Sequence, residues 1–127
     1  MKIVILNSAG IPIYEQIKEQ IKAAIYSGEL AENEALPSIR LLAKDLKISV
    51  ITTTRAYNDL EKEGFITTVQ GKGSFVKPKN NELIREQALR EIENYFISAI
   101  TLAKNVQMSK NELCNIFELI AKEEVYE

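Results

Sequence analysis

The sequence predicts a mainly α protein with a small β-sheet: a winged helix-turn-helix domain over residues 1–79, then a two-helix C-terminal tail over residues 80–127. Three observations predict it. Two short amphipathic helical stretches, capped by Ser38 and Ser49, are separated only by Lys47 and Ile48, the spacing of a helix-turn-helix. Directly after them, Phe65-Ile66-Thr67-Thr68-Val69 and Ser74-Phe75-Val76 flank the tip Gln70-Gly71-Lys72-Gly73, a β-hairpin signal in the position of a wing. Beyond Pro78, apolar residues recur at helical spacing through two more stretches.

Lys2-Ile3-Val4-Ile5-Leu6 is a short β-branched run ended by Asn7-Ser8-Ala9-Gly10, so it reads as a strand and a turn. A strand is not stable alone, and this one is expected to pair with the wing as its third strand. Pro12 opens a first helix. Tyr14, Ile17, Ile21, Ala24 and Ile25 form its apolar stripe, while Glu15, Lys18, Glu19 and Lys22 are expected to face water. Gly28 ends it, and Glu29 to Leu36 reads as a polar connector. Pro37 disfavours helix at Leu36 and Ser38 offers its hydroxyl as N-cap. Ile39, Leu42, Ala43 and Leu46 are the inward positions of the second helix, which leaves Arg40 and Lys44 outside. Ile48 then plugs the corner into Ser49.

From Ser49 to Gly64 the chain reads as one helix marked at both ends. Thr53, Ala56, Tyr57 and Leu60 share its inward face, and Ile51, Thr52, Thr54, Arg55 and Asn58 lie opposite. Threonine is a poor helix former because β-branching restricts χ1, so three in a row on the first turns need a reason. Short side chains with one Arg suit a helix N-terminus that approaches phosphates and base edges closely. A surface helix that merely happens to be Thr-rich is the competing reading.

In the hairpin that follows, Lys72 lies at the tip with Lys77 and Lys79 just beyond, as a phosphate-gripping wing requires. The Gly-x-Lys-Gly tip lacks the strand–loop–helix context of a nucleotide-binding loop. Pro78-Lys79-Asn80-Asn81 is the expected boundary. Past it, Leu83, Ile84, Ala88, Ile92, Tyr95, Phe96, Ala99, Ile100 and Ala103 keep helical spacing, and Ser109 to Glu112 is a capping box ahead of Leu113, Ile116, Phe117 and Ile120. Two such helices cannot enclose their own apolar faces. Packing within the chain is one way to cover them; dimerisation is the other and is the one expected.

Composition narrows the function. A chain of 127 residues with 46% apolar content is one domain, or one small domain with an appendage, and is not disordered. No apolar run approaches the roughly 18 residues needed to cross a bilayer, and Met1 to Leu6 is too short for a signal peptide. Cys114 is alone, so no disulfide framework is expected and a reducing cytoplasm fits; the residue reads as a small packing side chain. Histidine is absent, which removes His-based acid–base chemistry, Ser-His triads and most zinc sites. No other constellation of residues suggests an enzyme, and no cofactor is implied. The net charge of −2 argues against nucleic acid, but its distribution matters more. Residues 36–79 hold eight Lys and Arg against four Asp and Glu, while residues 80–127 hold five against nine.

Ile25-Tyr-Ser-Gly28-Glu-Leu30, Leu36-Pro37-Ser38-Ile39-Arg40, Leu42-Ala43, Thr52, Arg55-Ala56-Tyr57, Leu60-Glu61-x-Glu63-Gly64 and Gly71-Lys72-Gly73-Ser74-Phe75-Val76 together resemble the GntR family of bacterial transcription regulators, over roughly residues 10–77. The short two-helix tail resembles the YtrA subfamily. That resemblance implies a homodimer through the C-terminal helices, and repression of an operon such as one encoding a membrane transporter. The family's DNA contacts would fall on Arg40, on Val50, Ile51, Thr52 and Thr54, and on Gln70 and Gly71. With Ser38, Ser49, Arg55 and Lys72 these form the candidate DNA-binding set. Val50 and Thr54 stand where the family often has Arg or Lys, which weakens any expectation of guanine reading. Ile39 replaces a usual Glu, and Asn33 a turn Gly. The expected partners are double-stranded DNA with a pseudo-palindromic operator and a second copy of the chain, with no membrane; a small-molecule effector is left open. A winged helix that binds protein is the alternative, but such modules usually lose the basic wing, and this chain keeps Arg40, Arg55 and Lys72.

Overall fold

In the computed structural model, which describes residues 1–8, 10–78 and 81–124, helix α1 spans Ile13–Ser27. Pro12 precedes it at φ −53°, where its missing N–H leaves no bond unmade. Gly28 closes it at φ 84°, its N–H donating to the Ile25 carbonyl at 3.2 Å. Helix α2, Ile39–Leu46, begins at Ser38, whose Oγ accepts from the Leu41 N–H at 3.1 Å. Lys47 adopts φ 56° to turn the corner, and the Ile48 N–H returns to the Ala43 carbonyl at 3.0 Å. Helix α3 then runs Val50–Lys62. Strands β1 (Ile66–Val69) and β2 (Gly73–Val76) pair antiparallel, with Ile66 opposite Val76 and Val69 opposite Gly73.

Around Ile17, Ile21, Leu60 and Ile66, all without exposed surface, α1, α2, α3 and the hairpin share one core. Tyr57 is buried among them, and its hydroxyl donates to the Pro37 carbonyl at 2.7 Å. Burial pushes that phenol well above the usual tyrosine range, so it stays a neutral donor. One hydrogen bond thus ties α3 to the turn that launches α2.

Three expectations are corrected. The third strand of the wing is not Lys2 to Leu6, which forms no strand. The sheet has two strands, and what lies beside β2 is the supposed connector: Ala35 makes an isolated bridge to Phe75, the Asn33 N–H donates to the Val76 carbonyl at 2.8 Å, and the Leu36 N–H to the Ser74 carbonyl at 2.9 Å. Asn33, at φ 65°, makes the bend that brings this segment alongside β2.

The second correction is that Lys2 to Leu6 is extended yet pairs with a helix. The side-chain amide of Gln20 accepts from the Val4 N–H at 2.9 Å and donates to the Val4 carbonyl at 2.7 Å. Gln16 does the same for Leu6 at 2.8 and 3.0 Å. Two residues of extended chain cover about 6.6 Å and four of helix about 6 Å, so glutamines four apart meet residues two apart. Ile3 and Ile5 turn to the core, and Val4 and Leu6 turn out.

The third correction is that Lys18 and Lys22 do not face water. Each places its ammonium 2.8 Å from a carboxylate oxygen of Glu63, just past the end of α3, and Lys18 also lies 3.5 Å from Asp59. Their aliphatic stems close the edge of the apolar stripe, and the carboxylates that pair them come from a distant stretch of chain.

The chain divides into two compact units, Met1–Lys79 and Asn80–Glu127. In the second, α4 spans Asn81–Asn105 and α5 spans Lys110–Glu123, capped by Ser109, whose Oγ accepts from the Glu112 N–H at 3.1 Å. Gln107 at φ 60° reverses the chain between them. Phe96 meets Phe117 edge to face at 6.4 Å. Ala9 of the expected turn, Lys79 beyond the wing, Asn80 of the expected boundary and residues 125–127 lie outside the described residues.

The Glu63 cluster predicts a pH dependence. Burial alone would raise the Glu63 carboxyl, but hydrogen bonds and charge from Lys18 and Lys22 outweigh it and hold it below the ordinary carboxylate value. A depressed carboxyl stabilises the fold above the unfolded value, and that contribution is lost as pH falls through the folded one. Burial alone would lower Lys18, but Glu63, then Glu15 and Asp59, outweigh it and leave it raised, so its contribution is lost only in strong alkali. Breaking a fully buried pair costs about 3–5 kcal/mol. With Glu63 itself 36% exposed, Glu63→Gln is expected to cost about 2 kcal/mol at pH 7 and clearly less at pH 3. Urea unfolding at both pH values checks this; an equal loss at both would contradict it.

Candidate nucleic-acid interface

The start of α3 is built from Ser49 outward. Its Oγ accepts from the Thr52 N–H at 3.1 Å and its hydroxyl donates to Thr52 Oγ1 at 2.8 Å. Thr53, buried, donates its hydroxyl to the Ser49 carbonyl at 3.2 Å, and Thr54 donates to the Val50 carbonyl at 2.8 Å. This is the back-bonding one turn up the helix that threonine makes in place of a bond to solvent. It also commits the Thr53 and Thr54 donors to the backbone. What the first turns offer outward is therefore mainly aliphatic: Ile51 is 82% exposed and Val50 is 48% exposed.

Neither α2 nor α3 has an acidic side chain in its first turn. Both helix N-termini therefore keep their partial positive charge uncompensated by an adjacent carboxylate, which favours the approach of an anion. Arg40 is exposed on the first turn of α2, and Gln70, Gly71 and Lys72 are exposed at the wing tip. The tip is held by its stem. The Glu61 carboxylate accepts from the Thr68 N–H at 2.8 Å, and the Thr68 and Ser74 hydroxyls meet at 3.0 Å. Gly71 at φ 79° and Gly73 at φ 110° make the reversal that a side chain would strain.

Of the candidate residues, Ser49, Val50, Ile51, Thr52, Thr54 and Arg55 share the first two turns of α3, while Ser38 and Arg40 open α2. Ser38 and Ser49 are caps whose oxygens already serve backbone N–H groups. Arg55 is not free. Its guanidinium lies over the ring of Tyr14 in α1, with Cζ 3.7 Å from the ring centre. Sequence reading placed Tyr14 in the apolar stripe and so missed it. It also missed Leu41, half exposed beside Arg40; its position off the stripe of Ile39, Leu42, Ala43 and Leu46 was the available signal. Among the described residues there is no cluster able to hold a metal and no helix long and apolar enough to cross a membrane.

Comparison with known proteins bears on this surface. The family model for bacterial regulatory proteins, gntR family, matches residues 13–76. The chain is 42% identical over 90 residues to the HTH-type transcriptional repressor NagR of Bacillus subtilis (strain 168), covering 70% of this chain and 35% of NagR. It is 40% identical over 68 residues to the HTH-type transcriptional repressor YtrA of the same organism, covering 54% of this chain and 52% of YtrA. It thus spans about a third and about half of these two relatives. Among solved structures, a transcriptional antiterminator from Listeria monocytogenes EGD-e superposes with a TM-score of 0.76 at 28% identity, over 95% of this chain and 90% of that one. YtrA from Sulfolobus acidocaldarius gives 0.62 at 38% identity, over 76% and 97%. AraR(DBD), solved in complex with operator ORE1, gives 0.51 at 29% identity, over 60% and 93%.

The two exposed cations yield a test. Replacing Arg40 or Lys72 by Ala should weaken binding to all duplexes about equally. Each replacement should also flatten the slope of log K against log salt by about one unit, for the one phosphate no longer neutralised. Titration of a selected and a random duplex from about 50 to 200 mM salt reads both effects. Weaker binding to the selected duplex alone would show that the side chain reads bases.

Proposed function

The chain belongs to the gntR family of bacterial regulatory proteins, as a YtrA-like member, and from that premise we propose that it is a homodimeric, sequence-specific operator-binding repressor. The observation that carries the reading is the start of α3: a capped, acid-free helix N-terminus presenting Val50, Ile51 and threonine methyls. Such a face suits the thymine methyl in the major groove and offers no bidentate donor for guanine. Arg40 and Lys72 supply the sequence-independent grip on phosphate, and Gln70 reads A·T against G·C in the minor groove at the wing tip. Repression follows the relatives named as repressors. The regulated operon is proposed to encode a membrane transporter, on the YtrA resemblance alone, and the site of action is the cytoplasm.

Dimerisation is assigned to residues 80–127, which completes the division into a DNA-binding unit and a dimerisation unit. Phe96, Ile100, Phe117 and Ile120 line an apolar groove of about 490 Å³ between α4 and α5. Apolar surface on this scale on a small helical unit is the mark of a partner surface, and a second copy would match a pseudo-palindromic operator.

Two experiments test the reading. Selection from randomised duplexes should return a half-site with at least one essential A·T pair, and Thr52→Ala should relax preference at one base pair at a cost of about 1–3 kcal/mol. An all-G·C half-site would exclude readout by an aliphatic face. Sedimentation should show the intact chain as a dimer at micromolar concentration, and both a chain cut after Lys79 and the full-length Phe117→Glu variant as monomers. Each monomer should lose operator affinity by about 100-fold or more. A dimer that survives the cut would place the interface in the first unit.

A further inference from the structure

We propose that Tyr14 is a positioning residue for DNA recognition, its ring holding the Arg55 guanidinium so that it grips a backbone phosphate and is kept from the base edges. The inference rests on the operator-binding reading above and assigns a role to a residue outside the candidate set. Arg55 lies one turn after Ile51 on the outward side of α3. An unrestrained arginine there would reach into the major groove and take guanine by its two acceptors.

One contact restrains it, and two further observations leave its charge available to an anion. The guanidinium carbon sits 3.7 Å from the Tyr14 ring centre, which is van der Waals contact and well inside the range of a cation–π pair. The carboxylate one turn ahead of it, Asp59, pairs with Lys18 at 3.5 Å. Among the described residues Arg55 makes no ion pair or hydrogen bond, so its charge is unneutralised. Stacking occupies the flat face of the guanidinium and leaves its in-plane N–H donors available to an anion.

Tyr14 cannot follow the arginine. Its ring packs on the core, and α1 is clamped to α3 by contacts that advance along both helices in step. Tyr14 meets Arg55, Lys18 meets Asp59, and Lys22 meets Glu63. Arg55 therefore supplies charge at a fixed place, and base choice is left to the aliphatic first turn of α3.

The test compares Tyr14→Phe, which keeps the ring, with Tyr14→Leu, which keeps apolar packing but removes it. Arg55→Ala and the Tyr14→Leu/Arg55→Ala double variant complete the set, all in the full chain with unfolding midpoints checked. In the free protein, the Arg55 side-chain Nε–H resonance should carry a ring-current shift in the wild type and Tyr14→Phe, and lose it in Tyr14→Leu. On DNA, Tyr14→Phe should match the wild type. Tyr14→Leu should weaken selected and random duplexes alike by about two- to fivefold and gain a guanine preference at one half-site position. The double variant should lack that preference. Arg55→Ala should flatten the salt slope by about one unit without changing base preference. The proposal is overturned if Tyr14→Phe loses as much as Tyr14→Leu, if the ring-current shift is absent from the wild type, or if Arg55→Ala relaxes a guanine position. A wild-type chain that enriches no duplex overturns the operator-binding reading as well; the resonance alone, with DNA binding lost, does not rescue the proposal.

Discussion

Two lysines on α1 close around one glutamate at the end of α3, and the arrangement of the first unit depends on that contact. The Lys18 and Lys22 ammonium groups are nearly buried, and each lies 2.8 Å from Glu63. Charges taken from water in this way do little for net stability but penalise every arrangement that unpairs them. A rotation or a one-turn slip of α1 would strand at least one ammonium. Lys22 also lies over the Phe65 ring at 5.2 Å, which ties the cluster to the residue leading into the wing. Once α1 is set against α3, the rest follows. Ile17 and Ile21 meet the core, Gln16 and Gln20 face the N-terminal segment, and Tyr14 arrives beside Arg55.

What was readable from the sequence was what depends on neighbours in the chain. Ser38, Ser49 and Ser109 each cap the helix expected of them, Gly28 ends α1, and Gln70 to Lys72 form the hairpin tip. The exposed apolar start of α3 was readable too, because periodicity separates its two faces. What was not readable depends on partners far along the chain. The β-branched run Lys2 to Leu6 gave the right extended conformation but not its partner, since nothing in that run says it will meet glutamine amides instead of a strand. Glu29 to Leu36 looked like a plain connector because it joins the hairpin through a single bridge at Ala35 and a few backbone hydrogen bonds, which leave no run of alternating residues to read. Lys18 and Lys22 were assigned to water by residue type, and only the carboxylates about forty residues later reverse that. The same limit hid Tyr14, whose ring serves the core on one side and an arginine on the other.

The threonines at the start of α3 show residue type and surface chemistry parting company. By composition that turn is polar. Yet Thr53 is buried, and the hydroxyls of Thr53 and Thr54 donate to carbonyls one turn back. The methyls of the half-buried Thr52 and Thr54 remain for the outside, beside Val50 and Ile51. A turn that is polar by composition thus presents a mainly apolar surface, with Arg40 and Lys72 on separate elements. On the proposed operator-binding reading, recognition and grip fall to different residues, so each can change without the other.

The glutamine pairing of the N-terminal segment has a consequence for how the protein behaves in a crowded cell. Ile3, Val4, Ile5 and Leu6 form the kind of β-branched, uncharged run that seeds intermolecular strand addition when its backbone is left open. Two amides from α1 occupy the N–H and carbonyl groups of Val4 and Leu6 that an incoming strand would need. A side-chain amide satisfies backbone groups without being a strand, so on the side that faces α1 the pairing ends with the glutamines. By filling one side of Val4 and Leu6 with amides, α1 narrows the room for strand addition at the chain's β-branched N-terminal run.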